Sequence, residues 1–174
     1  VLTIPSYYNK HDVNEFKDFT KKIYSKDKLY IEFCSGNGEW IIEQAIENPD
    51  VLFVAVEKKF MRVRKIWSKM KNKSVSNLVI CSGMGEDLLA HYIKKTSVDK
   101  FFVNFPDPWP KKRHAKHRII KKPFIDMVSV SLKDSGEIII TTDSDPYSSE
   151  IIELFSKEND FVNCYSEKGF TVLD

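Results

Sequence analysis

The segment Asn104-Phe105-Pro106-Asp107-Pro108-Trp109-Pro110 runs directly into Lys111-Lys112-Arg113-His114-Ala115-Lys116-His117-Arg118. It brings a carboxylate, an indole, three prolines and a cationic tail into one short stretch. Each proline fixes its own φ, so Asp107 and Trp109 are expected to be held in place. A rigid loop is what a positioning site requires. The tail suits phosphate oxygens, with Lys111 and Arg113 as cations and His114 and His117 as further donors. A proline-stiffened surface loop whose charges serve only solubility is the plainer reading, and so unusual a string argues against it.

A second constellation lies upstream in Ile31-Glu32-Phe33-Cys34-Ser35-Gly36-Asn37-Gly38-Glu39. Two glycines just after an apolar run allow a tight turn and a close backbone approach to a ligand. A dinucleotide fingerprint would place a third glycine at Ile41, and a phosphate loop would end in Gly-Lys-Ser or Gly-Lys-Thr. Neither is present. Glu57 follows Gly38 by 19 residues, at the end of the next apolar run, where a carboxylate can accept hydrogen bonds from both hydroxyls of an unphosphorylated ribose. The combination points to S-adenosylmethionine rather than NAD, with a simple tight turn as the alternative.

Both loops need a frame that brings them to one edge. Short β-rich runs alternate with longer amphipathic stretches, the pattern of strands joined by crossover helices. The sequence therefore predicts an α/β fold with a mostly parallel central sheet and helices on both faces. Strands are expected near Leu29–Cys34, Val51–Val56, Leu78–Cys81, Lys100–Phe105 and Glu137–Thr142. A first helix is expected over Asp12–Tyr24, another from Pro123 to Leu132, and a further one over Tyr147–Lys157. Asp134-Ser135-Gly136 should turn the chain into the fifth of those strands, and Phe161–Tyr165 reads as a late edge strand. After the second strand, Phe60, Val63, Trp67 and Met70 form an apolar stripe expected to pack in the core. In such sheets ligands bind outside the carboxyl ends of the strands, which puts both loops at the same place.

The net charge of +2 hides a segregation. Lys58–Lys73 holds eight basic residues and no acid, and Lys111–Lys122 holds seven and no acid. The remaining twelve basic residues face 25 acidic ones. Either run alone reads equally well as a solvated face; two in 174 residues favour a polyanionic partner. Cys34, Cys81 and Cys164 are odd in number and far apart, which argues against a disulfide framework and a paired-ligand zinc site. No apolar run approaches the length of a membrane span, and no secretory leader is visible. The expectation is a cytoplasmic protein with no membrane partner and no metal, monomeric or homodimeric.

The string Asn-Phe-Pro-Asp-Pro-Trp-Pro-Lys-Lys-Arg-His from Asn104 to His114 closely resembles the motif of the bacterial tRNA (guanine-N7-)-methyltransferases, the TrmB family, and weaker similarity runs from about Tyr30 to Tyr147. The resemblance implies the Rossmann-like fold of class I S-adenosylmethionine-dependent methyltransferases, in its seven-stranded version, and N7 of a guanine in the tRNA variable loop as target. It implies Asp107 as the catalytic acidic residue and Glu32 and Glu57 as cofactor contacts. The expected cofactor-binding set is completed by Cys34, Gly36, Gly38, Met84, Gly85, Asn104 and Asp107. Lys111, Arg113, His114 and Asp143 are the expected substrate contacts. The chain departs from the family pattern at Cys34, where glycine is usual, and at Gly83-Met84-Gly85, where Gly-Asp-Ala is usual. The family's Thr-x-Phe-Glu motif, on the substrate side, has no counterpart before Asp174, so the expectation is one methyltransferase domain over 1–174 without that segment.

Guanine N7 carries a lone pair and no proton, so its methylation needs no general base, and orientation should dominate. Asp107 would then stabilise the charge that develops on the base or hold its N1 and exocyclic amine. Trp109 could stack on an extruded base or serve as a core or lid residue. Asn104-Phe105-Pro106-Asp107 is also similar to the Asn-Pro-Pro-Tyr loop of enzymes that methylate exocyclic amines. Two further readings are an RNA-binding module with a degraded cofactor pocket and a small-molecule methyltransferase.

Overall fold

The computed structural model describes residues 2–3 and 13–165. Six strands form one parallel sheet: β1 (Leu2–Thr3), β2 (Lys28–Phe33), β3 (Val51–Glu57), β4 (Leu78–Ser82), β5 (Val98–Asn104) and β6 (Leu132–Thr141), in the order β1-β4-β3-β2-β5-β6. The helices are α1 (Val13–Ile23), α2 (Glu39–Glu47), α3 (Phe60–Asn72), α4 (Gly85–His91), α5 (Lys122–Ser131) and α6 (Asp145–Phe155). The chain leaves β2 toward β3 on one side and later returns beside β2 as β5, so the order reverses between β2 and β5. That is the topological switch point, where a crevice opens at the carboxyl edge.

Alternation along the strands builds two cores. Leu29, Ile31, Phe33, Leu52, Val54, Val56, Val79 and Cys81 face one side with Phe19 and Ile23 of α1, Leu88 of α4, Phe124 and Val128 of α5 and Tyr147 of α6. Val51, Phe53, Ala55, Leu78 and Ile80 face the other with Ile41, Ile42 and Ala45 of α2 and Val63 and Ile66 of α3. By the same period of two, Glu32, Glu57, Ser82 and Asn104 continue the rows that face α2 and α3. Every buried polar strand end thus points to one quarter of the molecule.

The five expected strands are present, and three expectations need correction. Phe161–Tyr165 is not strand; Phe161 instead packs edge-on against Phe155 of α6, 5.1 Å between ring centres. The turn at Asp134-Ser135-Gly136 lies within β6 as a bulge, because Leu132 pairs with Val98 while the next matched pair is Glu137 with Lys100. The α3 stripe is rolled. Ile66, absent from that stripe, fills the notch above Gly38, where a Cβ would lie 2.8 Å from its Cγ1. Val63 and Ile66 are therefore the buried residues of α3, and Phe60 and Trp67 are 56% and 45% exposed. The strand β1, paired with β4 through Leu2 and Thr3, was not expected from the sequence.

Asn77 ties the α2/α3 side together. The two N–H bonds of its Nδ2 are shared among the carbonyls of Ala45, Asn48 and Val51 at 2.9–3.0 Å, and its backbone carbonyl accepts from Phe53 N. Removing this amide takes its donor from the buried carbonyls of Ala45 and Val51, while Asn48 O keeps the N–H of Val51. Asn77→Ala is expected to lower unfolding free energy by about 2–3 kcal/mol, read from urea denaturation with an unchanged m-value; a loss under about 0.5 kcal/mol would refute this role.

Candidate functional site

The glycine loop is built from the end of β2. Ser35, buried, donates its N–H to Val56 O and its hydroxyl to Glu32 O, and its Oγ accepts from Val56 N, all within 3.1 Å. This staples the loop to β3. Cys34, Gly36 and Gly38 all have φ between +56° and +80°. The two glycines differ in purpose. Gly38 caps α2 and must lack a Cβ because Ile66 lies against it. Gly36 meets nothing closer than Cys34 O at 3.9 Å, so its open side faces free space a ligand can enter.

Glu57 holds this loop and the start of α3 at once. Its buried carboxylate accepts from Gly36 N at 3.1 Å and Lys59 N at 2.8 Å, with Arg62 at 3.7 Å. A carboxylate has about four acceptor positions, so capacity remains for two further donors. Glu32 sits two strands' width from β4 on the same row. Its Oε1 accepts from Asn104 Nδ2 at 2.9 Å, a bond across the switch point, while its Oε2 is buried without a partner. Burial pushes the Glu32 carboxyl up to about 7, against the lowering effect of the Asn104 and Ser35 hydrogen bonds. Ser82 Oγ, at the end of β4, is likewise buried and unpartnered. The orphaned atoms mark the two ends of a crevice whose middle is Glu57.

The other expected cofactor residues divide. Met84 is exposed at the start of α4, and Gly85 is committed to packing, since a Cβ there would lie 2.6 Å from the Phe33 ring. Cys34 is exposed at the crevice mouth, yet desolvation of its sulfur, reinforced by the Glu57 carboxylate, pushes the thiol up to about 12. It is a neutral thiol, unsuited to nucleophilic work.

The proline-rich loop begins where Asn104 ends β5. Phe105 turns with φ 47°, its N–H bonded to Thr141 O at 2.8 Å, and Pro106 is buried beneath an exposed Asp107. Trp109, φ 43°, is half-buried with His114 edge-on at 5.8 Å and His117 tilted at 5.3 Å. Arg118 closes the loop and was not singled out from the sequence. Its Nε donates to Pro108 O at 2.7 Å and its Nη2 to Trp109 O at 3.2 Å; it pairs with Glu150 of α6 and lies 5.0 Å from the centre of the Tyr147 ring. An arginine at the end of a basic run reads from sequence as one more phosphate contact, and the carbonyls it serves are visible only once the loop is folded. Lys111 and Arg113 are exposed, on and beside a short 3-10 helix (Lys112–His117). His114 Nε2 accepts from Arg113 Nε at 3.2 Å, which occupies that nitrogen as an acceptor. Asp143 is exposed just past β6, whose Thr141 pairs with Asn104, and so flanks the same loop.

Among the described residues no cluster of histidine, cysteine and carboxylate side chains could hold a metal ion, and no helix is long and apolar enough to cross a membrane. The arrangement is a sheet edge with buried, unsatisfied polar atoms at Glu32 and Ser82 on either side of Glu57, beside a stiff loop bearing an exposed carboxylate and a cationic tail.

Residues 26–170 match a family described as a putative methyltransferase. The chain is 43% identical over 157 residues to a tRNA (guanine-N(7)-)-methyltransferase of Chlamydia abortus, covering 90% of this chain and 70% of the relative. It is 30% identical over 163 residues to the protein of that name from Wolbachia pipientis, covering 93% and 72%. Among solved structures, a precorrin-6y C5,15-methyltransferase from Geobacter metallireducens superposes with a TM-score of 0.59 at 15% identity, covering 89% of this chain and 74% of that one. A putative methyltransferase from Streptococcus mutans in complex with SAH gives 0.56 at 14% identity, covering 86% and 83%. These two establish a shared Rossmann-like methyltransferase fold.

The raised Glu32 carboxyl has a stability consequence. Between its ordinary value of 4.5 and about 7 the folded chain holds a proton that the unfolded chain has lost, so stability falls as pH rises through that window and levels off above it. The fall is on the order of 3 kcal/mol. Glu32→Gln, which keeps the acceptor for Asn104, is expected to abolish it and to be the more stable form above pH 7. Parallel pH dependences of the two proteins in urea denaturation from pH 4.5 to 8 would contradict the assignment.

Proposed function

The chain belongs to the tRNA (guanine-N(7)-)-methyltransferase family, and from that premise we propose that it transfers a methyl group from S-adenosylmethionine to N7 of a guanine in the tRNA variable loop. The observation that carries the reading at residue level is the meeting, at one sheet edge, of the Glu57-fastened glycine loop and the Asn104–Arg118 loop.

The crevice fits the cofactor. The spare acceptor positions of Glu57 would take the two ribose hydroxyls, and the open side of Gly36 would leave room for the chain that joins ribose to sulfur. Glu32 Oε2 would accept from the methionyl ammonium, whose charge would offset the cost of ionising the carboxyl. Asn104 fixes the rotamer of Glu32, and the backbone at Met84 and Gly85 borders the adenine end. When bound, the cofactor supplies an electrophilic methyl on a sulfonium.

Asp107 stands exposed at the mouth, on a loop held by Pro106 beneath it and Arg118 behind it. It accepts hydrogen bonds from guanine N1 and the exocyclic amine, which turns N7 toward the crevice, and it offsets the positive charge that arrives on the base. No side chain has to remove a proton, since N7 attacks with its lone pair. Lys111 and Arg113 meet the phosphates flanking the target, and Asp143 closes the opposite side. His114 and His117 brace Trp109, whose half-buried ring serves as a rigid wall of the loop. A cytoplasmic location follows from a tRNA substrate.

The test is incubation with methyl-labelled S-adenosylmethionine and unmodified tRNA followed by nucleoside analysis. Label in N7-methylguanosine is expected; label in an exocyclic-amine product or none would displace the reading. Asp107→Asn is expected to lower kcat by at least about 100-fold with cofactor affinity unchanged by calorimetry. Turnover near wild type would remove Asp107 from the catalytic role.

Arg118→Met keeps the stem of the side chain and removes both carbonyl bonds. We expect kcat to fall about tenfold or more, as for a misplacement of the reacting groups, with cofactor affinity within about twofold. Unchanged kcat would show that the prolines alone hold the loop.

A further inference from the structure

The outward face of α3 carries a charge and aromatic pattern that its packing does not explain. All eight basic residues of Lys58–Lys73 are at least partly exposed, and among the described residues only Arg62 and Lys69 are ion-paired, with Glu57 and Glu39. Lys65 and Lys69 are like charges one turn apart, and the first turn carries no acid to complement the helix dipole. Lys69 and Lys71, in the last turn, suit the helix dipole, whereas Arg64 and Lys65 gain nothing from the helix itself. Between these cations stand Phe60, 56% exposed, Met61, 63%, and Trp67, 45%. Phe60, Arg64, Trp67 and Lys71 recur at i, i+4, i+7 and i+11, one continuous stripe, and Met61, Arg64, Lys65 and Ser68 line a shallow groove beside it.

The position of this stripe selects its occupant. α3 starts three residues after Glu57, at the same sheet edge as the proline-rich loop. Only β2 separates β3 from β5, so the two basic segments leave that edge about 10 Å apart. α3 then runs about 20 Å away from it. A polyanion that reaches Asp107 therefore has a second cationic surface directly alongside. Lone cations suit phosphates, and exposed rings interleaved with them suit unpaired bases.

We propose that the Phe60–Lys71 face of α3 is a second RNA-docking surface, which grips the backbone of the substrate tRNA away from the target guanine and stacks an unpaired base on Trp67. This rests on the reading of the chain as a tRNA methyltransferase.

The test measures binding of fluorescently labelled tRNA by anisotropy across a KCl series, with the full chain and the variant Arg64→Ala/Lys65→Ala/Lys71→Ala. Alanine keeps the helix, and none of the three residues touches the cofactor crevice. Loss of three phosphate contacts is expected to reduce the slope of log affinity against log salt by about 2–3, and to weaken binding at least about tenfold near physiological salt. KM for tRNA should rise while kcat and cofactor affinity stay unchanged. Trp67→Ala should weaken binding about five- to tenfold, Trp67→Phe should restore it, and tRNA should quench fluorescence in wild type more than in Trp67→Phe. An unchanged salt slope in the triple variant overturns the proposal. So does a variant that loses only binding to anionic phospholipid vesicles, or only self-association by sedimentation, since the face would then serve a membrane or a second copy. A wild type that binds tRNA with this slope but forms no N7-methylguanosine sinks the reaction and leaves the surface standing. A wild type that binds no tRNA sinks both.

Discussion

Two buried carboxylates at the ends of adjacent strands organise this protein, and their unequal satisfaction sets up the site. Burying a carboxylate is costly unless donors surround it. Glu57 has backbone N–H groups on both oxygens and an arginine near one of them. Its charge is used as structure, joining the glycine loop to the start of α3. Glu32 has one neutral amide and an empty second oxygen, and its carboxyl is raised accordingly. The same row of the sheet therefore presents one end suited to neutral hydroxyl donors and one end short of a cation. A ribose joined to an amino acid has that polarity. The remaining elements follow from keeping the two carboxylates in register: Ser35 staples their strands, and Asn104 carries the register across the switch point to the substrate loop.

The legible part of the sequence was whatever local spacing dictates. Strands buried on both faces read as apolar runs, so all five expected strands are where they should be, within a residue or two for four of them and earlier at the start of β6. Glu57 was picked out by its distance from Gly38, because the helix and the strand between them take a predictable length of chain. The proline string needed no fold to be seen as rigid. What stayed hidden depends on contacts between elements. Periodicity gives the arc of a helix that is apolar, and the shape of the opposing surface decides how the helix rolls. The notch over Gly38 takes Ile66, and this turns Phe60 and Trp67 outward. Gly38, expected in the ligand loop, is also required for packing against Ile66. The residues at Phe161–Tyr165 are mostly the β-prone types of an edge strand, yet Phe161 finds its apolar partner in Phe155 without pairing to the sheet.

The departures from the family pattern can be weighed on the same terms. Cys34 occupies a left-handed conformation that glycine would adopt without strain, at a cost of about 1 kcal/mol, and the loop accepts it because Ser35 and Glu57 over-determine its path. Its neutral thiol adds bulk at the crevice mouth and no charge. Met84 replaces a carboxylate with an exposed thioether, so that side of the crevice offers backbone groups and a soft apolar contact. Neither change takes a hydrogen-bond donor from the two carboxylates, and the polarity of the crevice is preserved.

The chemistry proposed for this edge makes unusual demands on its loop. A nucleophile that must be deprotonated requires a base tuned by burial, and burial would hide it from a large substrate. Guanine N7 arrives with its lone pair available, so the acidic residue that meets it can stand in the open, and Asp107 does. The cost moves from tuning to stiffness: an exposed carboxylate helps only if its loop does not wander. Pro106 buried under Asp107, the Trp109 ring braced by two imidazoles, and the two carbonyl bonds of Arg118 supply that stiffness from three directions. Arg118 is in turn anchored to α6 through Glu150, and α6 follows directly from β6, the neighbour of β5. The loop that bears Asp107 is thus fixed at both ends to adjacent strands of the sheet that positions the crevice, which is the geometry that a reaction governed by orientation needs.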